Sequence, residues 1–182
     1  LTLTTWGDWL EKNPETKVLD IDTGFDRNYR NLNKRGSAYY DYFNSPDWMF
    51  PTFHTNEVLG LKDRVLALVF DDFPKAYALE ALQESPVVND TVGGQELVIT
   101  FNPIPEAARL YERGGHDFLP TQDPDVVLDE DGAEWRVEET GLVKSDGTET
   151  LIRLPGHVSY WFGWVAFHPD TELFGEIVTG AE

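Results

Sequence analysis

The stretch RVLALVFDDFPKAYA, residues 64–78, decides the fold. Arg64 to Phe70 is an apolar, β-branched run of strand length. Asp71 to Pro74 (DDFP) reads as a turn. Lys75 to Tyr77 then returns antiparallel, which makes a hairpin. Leu79 to Gln83 suits a short helix. A second hairpin follows, with strands Val87 to Thr91 and Glu96 to Phe101. Gly93 and Gly94 supply the positive-φ conformations that a tight β-turn needs.

Outward from these hairpins the pattern stays short-range. Pro103 to Arg113 (PIPEAARLYER) is ambiguous: Ala, Glu, Leu and Arg favour a helix, the reading preferred on propensity, while the flanking strands would let a further strand continue the sheet. Val126 to Leu128, Glu134 to Glu138 and Leu151 to Leu154 predict short strands between acidic turns such as DEDG at Asp129 to Gly132. Ser159 to Phe167 predicts a closing helix stopped by Pro169. On the N-terminal side, Thr4 to Lys12 predicts a short helix capped by Thr4 or Thr5 and ended by Pro14. Lys17 to Ile21 predicts a short strand, then a loop. Ser37 to Phe43 reads as one helical turn or an irregular aromatic platform, and Ser45 to Thr55 as an irregular loop. The expected class is α+β: an antiparallel, β-hairpin-rich sheet or partial barrel with short helices. No alternating βαβ ladder is present, which argues against a parallel nucleotide-binding sheet.

Composition narrows the function. A chain of 182 residues that is 41% hydrophobic and 13% aromatic holds enough apolar surface for one core without disulfide staples. Asp and Glu number 33 against 14 Lys and Arg, for a net charge of −19. Such a surface repels phosphate, so nucleic acid is an unsuitable partner. The charge suits solubility in high salt, where self-repulsion is screened, and it also attracts divalent cations. The chain has no cysteine, which removes disulfides, thiolate metal sites and a Cys nucleophile. No apolar run is long enough to form a membrane-spanning segment. No signal peptide is legible and position 1 is not Met, so a processing or truncation boundary is expected there.

Two separated stretches repeat one another. TWGDWLEKNPETKVL (Thr5 to Leu19) and YWFGWVAFHPDTELF (Tyr160 to Phe174) both read W-x-x-W-x-x-x-x-P-[DE]-T-x-[VL]. Trp6 answers to Trp161, Trp9 to Trp164, Pro14 to Pro169 and Thr16 to Thr171. Residues three apart share a helix face, so each pair forms one aromatic patch. Such a patch seals a helix to a sheet, or anchors a ligand or neighbouring module. The repeat suggests that residues 1–20 are the tail motif of a preceding related module plus linker. Residues 21–182 are then a single α+β module.

These motifs, together with KAYALEAL (Lys75 to Leu82) and VNDTVGG (Val88 to Gly94), resemble those of a prokaryotic family of unknown function. The resemblance implies proteins that are often exported, frequently built from two related modules, and abundant in halophilic archaea and bacteria. This chain is similar to the second, C-terminal module. The other module commonly carries a C-x-x-C after its own hairpin. Here the matching segment after Phe101 is NPIPEAA, so no metal or redox role carries over.

Candidate chemistry is sparse. Asp20, Asp22 and Asp26 share a loop with Gly24 and offer oxygen ligands for calcium, although the spacing departs from an EF-hand. The four His residues show no local zinc spacing. No G-x-S-x-G, G-x-x-x-x-G-K-[ST] or G-x-G-x-x-G occurs. Lys75 in a strand is either a buried base or an edge-strand guard, the commoner use. Asp90 is expected to cap its own turn. The loop Ser37 to Phe53 is dense in rings, and Tyr39, Tyr40, Tyr42 and Trp48, with Trp161 and Trp164, are the candidate ligand- or partner-binding residues. The expectation is a non-catalytic interaction or structural module of an exported acidic protein, extracellular or on the cell-envelope exterior. Its partner would be a sibling module or another protein. No cofactor is expected beyond a possible calcium ion. The alternatives are a metal-dependent or redox protein whose site forms with a neighbouring module, and a carbohydrate-binding module.

Overall fold

The computed structural model describes residues 2–20, 22–25, 34–37 and 39–175. In chain order the elements are α1 (Trp6–Lys12), α2 (Tyr40–Phe43), β1 (Arg64–Phe70), β2 (Phe73–Ala78), α3 (Leu79–Glu84), β3 (Val87–Val92), β4 (Gln95–Asn102) and β5 (Ala107–Glu112). There follow β6 (Leu119–Pro120), β7 (Val126–Leu128), β8 (Glu134–Val137), β9 (Gly141–Lys144), β10 (Thr150–Ile152), β11 (His157–Tyr160), α4 (Trp161–Phe167) and β12 (Glu172–Leu173). They form three sheets with orders β11-β1-β2-β12, β3-β4-β5 and β10-β9-β8-β7-β6. The class is α+β, and none of the sheets closes into a barrel.

The sheets stack in layers, and the alternation along each strand shows how. On β1, Leu66 and Leu68 face one core with Leu97, Ile99 and Phe101 of β4. Val65 and Ala67 face the opposite side, against Trp161, Trp164 and Val165 of α4. On β4, Val98 turns away from its neighbours to a third core with Tyr111, Trp135 and Leu142. The β3-β4-β5 sheet is therefore covered on both faces, which is why LVITF runs apolar without alternation.

Both predicted hairpins are present. Phe70 pairs with Phe73 across a two-residue turn in which Asp71 and Asp72 both take positive φ, at 46° and 65°. Asp tolerates this left-handed geometry better than most residues, and it matches the twist of the flanking strands. At the second hairpin Gly93 has φ +55°. A Cβ there would lie 2.3 Å from the Phe70 carbonyl oxygen, so the tip of one hairpin rests on the turn of the other. Gly93→Ala is expected to lower stability by about 1–3 kcal/mol through clash and left-handed strain. Chemical denaturation checks this, and a neutral result would mean that the two tips do not touch.

Four expectations need correction. The segment Pro103 to Arg113 is not a helix; its second half is β5, paired along β4 from Ala107↔Asn102 to Glu112↔Leu97. Helix propensity loses because β4 has an open edge, and Ala108 and Leu110 fit one core while Tyr111 fits another. The described part of Lys17 to Ile21, residues 17–20, is irregular and exposed, with no strand partner; Ile21 lies outside the described residues. Ser159 to Phe167 divides into the end of β11 and the whole of α4, because Arg64↔Tyr160 and Val65↔Ser159 pairing holds the first part extended. The Leu151 to Leu154 strand ends at Ile152.

The acidic turn at Asp129 to Gly132 has a structural role. Asp129, 2% exposed, accepts hydrogen bonds from the backbone of Asp131 and Ala133 and from the Trp135 indole. The Trp135 bond, above all, holds its pKa down at about 2.

Candidate functional site

The two Trp motifs have one local structure. Each is a seven-residue helix, Trp6–Lys12 or Trp161–Phe167, entered from an extended residue. Each ends in a residue of nearly the same backbone geometry, Asn13 at φ −135°, ψ 66° and His168 at φ −131°, ψ 69°. The indole of Trp9 donates to Thr16 Oγ1 at 2.9 Å, and that of Trp164 donates to Thr171 Oγ1 at 2.8 Å. The spacing of the second Trp and the Thr shared by the two copies thus reflects a hydrogen bond that folds the tail back onto its helix.

Their surroundings are opposite. Trp161 is 1% exposed and Trp6 52%. Val165 is buried and its counterpart Leu10 is exposed; Leu173 is buried and its counterpart Val18 is exposed. The first helix instead turns its polar edge to the rest of the chain. Lys12 bridges Asp8 at 3.0 Å and Asp125 at 2.8 Å, and Asn102 donates to Asp125. Just upstream, the Thr2 hydroxyl donates to Glu139 at 2.9 Å. The apolar edge of α1 is left facing solvent.

Between α1 and the β7-β8 region lies a cleft of about 510 Å³, whose lining includes Trp9, Lys12, Arg109, Asp125 and Glu139. Arg109 is 4% exposed and bonds Glu139 through Nε at 3.3 Å. Glu139 also pairs with Arg153. For Glu139, burial would raise the pKa, but the hydrogen bonds from Arg153 and Thr2 lower it. For Lys12, burial alone would lower the pKa, but the bonds to Asp125 and Asp8 raise it. Both groups are held charged at neutral pH, away from the range that suits proton transfer.

A second cluster joins three of the motifs. Lys75 and Tyr77 come from KAY, Asp90 from VNDTVGG, and Glu172 from the second Trp motif. Lys75 Nζ lies 3.0 Å from Asp90 and 2.6 Å from Glu172, and the Tyr77 hydroxyl donates to Asp90 at 2.7 Å. Burial would lower the Lys75 pKa, but the bonds to Glu172 and Asp90 raise it. Burial, and then the bond to Asp90, raise that of Tyr77. Lys75 is a locked cation, unsuited to act as a base at neutral pH. Asn89 of the same motif exchanges two hydrogen bonds with the Phe118 backbone. These motif residues tie layers together. Sequence spacing could not reveal the cluster, because its members come from β2, β3 and β12, and Glu172 joins it only when β12 pairs with β2.

The remaining predicted residues stand as follows. Trp161 and Trp164 lie in the core, with the Trp161 indole donating to the Asn56 carbonyl. Trp48 is half-buried and meets Phe162 at 6.0 Å between centroids. Tyr42 carries the Lys62 ammonium over its ring at 3.6 Å. Tyr40 is half-buried and Tyr39 exposed. The Tyr39, Tyr42 and Phe43 rings are mutually tilted, by 45° and 54° at Phe43, and make no flat platform. Asp20 and Asp22 are exposed, with Asp20 accepting from the Asp22 backbone; Asp26 lies outside the described residues. No group of three potential metal ligands gathers among the described residues.

A layered α+β chain with a repeated Trp helix is thus defined. The family model described as "Protein of unknown function (DUF3179)" matches residues 1–171, and the chain belongs to that family. Neither curated proteins nor solved structures give a match. No helix among the described residues is long and apolar enough to cross a membrane.

Proposed function

We propose that this chain is a non-catalytic interaction module of an exported, acidic protein, with residues 1–20 serving as the tail of a preceding related module. The supporting observation is the opposite burial of the two Trp helices. One seals this module's own core, and its repeat holds the same fold with its apolar edge uncovered. A buried aromatic on a short helix is a typical interface anchor.

The test is amine cross-linking in the cells that make the protein, followed by peptide mass spectrometry. Lys17 is exposed and lies beside the uncovered edge. The expected result is Lys17 linked to peptides outside residues 1–182. Links confined to residues 1–182 would overturn the reading. Elemental analysis of the purified chain provides the contrasting arm. A stoichiometric transition metal would favour the metal or redox alternative, and stoichiometric calcium would direct attention to Asp20, Asp22 and Asp26.

The net charge of −19 supports a high-salt setting. Raising ionic strength shortens the screening length from about 10 Å at 0.1 M to about 3 Å at 1 M. The melting temperature should rise over that range by at least about 3 °C, the shift that ~1 kcal/mol produces in a chain of this size. A flat or falling Tm would remove the high-salt reading.

A further inference from the structure

The second Trp motif shows what its first copy lacks. After α4, the chain turns at Thr171 and adds β12 in parallel to the edge of β2, with Glu172 opposite Lys75 and Leu173 opposite Ala76. The Phe174 amide then donates to the Ala76 carbonyl at 2.9 Å, and the Phe174 ring packs on Tyr77 at 5.4 Å. After α1, the chain makes the same turn at Thr16, but Lys17, Val18 and Leu19 reach no strand. Val18 is 69% exposed and Leu19 86%. The uncovered positions, Trp6, Leu10, Val18 and Leu19, are the counterparts of Trp161, Val165, Leu173 and Phe174.

We propose that residues 5–19 dock on a related module by adding a parallel edge strand, and that the acceptor strand carries an acidic residue where this chain has Lys75. Trp6 and Leu10 cover the outer face of the acceptor sheet, and Val18 lies opposite a small residue in the place of Ala76. The charge rule follows from one difference between the copies. The residue opposite Lys75 is Glu172, and its counterpart in the first copy is Lys17. A lysine at that position needs a carboxylate across from it, because like charges directly opposite in a sheet are destabilising.

The same difference excludes a second copy of this chain as the acceptor. Its β2 edge is already occupied by β12, and its Lys75 would face Lys17. The acceptor is a sibling module upstream in the polypeptide, in the relation that residues 160–174 bear to the module before them. This inference rests on the interaction reading above and adds the geometry and the partner's chemistry.

The test grafts the first copy into the place of the second. In one chimera, residues 160–174 are replaced by the sequence of residues 5–19. A second chimera also carries Lys75→Glu, and both carry Asp90→Asn, because Asp90 lies 3.0 Å from Lys75 and would otherwise repel the new carboxylate. The expected result is that the second melts within about 10 °C of the Asp90→Asn chain and the first at least about 6 °C below the second, as ~2 kcal/mol of charge conflict would produce at this size. A chimera that prefers Lys75 would overturn the proposal. Should neither fold, point variants decide. In the Asp90→Asn chain, Glu172→Lys lowers Tm, and adding Lys75→Glu restores at least half of the loss; no restoration overturns the charge rule. These measurements read docking geometry alone. A chain that passes them yet shows no Lys17 cross-link to another polypeptide would fail the functional reading and keep the docking one.

Discussion

Trp161→Ala is expected to lower the stability of the module by about 3–5 kcal/mol, the cost of truncating a large aromatic in a packed core. Trp6→Ala, the same change at the same place in the same motif, is expected to stay within about 0.5 kcal/mol in the isolated chain. Trp161 is 1% exposed among Val65, Ala67, Ala76 and Leu173, and its indole holds the Asn56 carbonyl. Removing it leaves a cavity and an orphaned acceptor. Trp6 is 52% exposed, and the polar bridges of Lys12 and Thr2 hold the N-terminal segment to the module without it. Denaturant melts of the two variants give the comparison directly. Equal costs would mean that α1 packs on this module by its apolar edge, and would remove the main support for an open docking face.

The second large effect lies at Asp90. Asp90→Ala is expected to cost about 3–5 kcal/mol, because it strips a buried ammonium and a buried hydroxyl of a shared partner. Glu172→Ala should cost less than about 1 kcal/mol, since that carboxylate is largely exposed, at 59% for its side chain. The pH dependence gives a further check. The folded-state pKa of Lys75 is raised above its ordinary 10.5, so its contribution is complete below that value and is lost as pH rises through the higher folded one. Tyr77 acts in the same direction. It ionises near 10.0 when unfolded, while burial and then Asp90 keep it neutral when folded. The natural chain should therefore weaken above pH ~10, and the gap between it and Asp90→Ala should narrow there. A gap that stays constant from neutral to strongly alkaline pH would mean that the cluster is not the source of the effect.

Much of the fold could be read from local sequence. Asp71-Asp72 and Gly93-Gly94 announce their turns, and RVLALVF and ELVITF have the length and composition of strands. The W-x-x-W spacing with its Thr predicted two equivalent helices, and the Trp–Thr hydrogen bonds explain why the spacing is kept. What could not be read depends on partners far along the chain. Ala107 to Glu112 has a helical composition and becomes a strand because β4 offers an edge. Gly141 to Lys144 is too short to announce itself and exists through pairing with Trp135 and its neighbours. At the candidate site, the Trp residues stood out but their opposite burial did not, since burial belongs to the surroundings and not to the motif. The Lys75 cluster was missed for the same reason. Its residues are unremarkable one by one and gain their role by convergence.

The closing of the β2 edge by β12 has a consequence for the order of events during synthesis. Lys75 and Glu172 are 97 residues apart, so β2 leaves the ribosome well before the strand that covers it. At about 5–20 residues per second, that edge stays open for roughly 5–20 s. An open apolar edge is a template for pairing with other chains, and an edge lysine is a common deterrent. Lys75 therefore has two successive duties. It first guards a nascent edge as a solvated charge, and then, once Glu172 arrives, it becomes the bond that holds the cover in place.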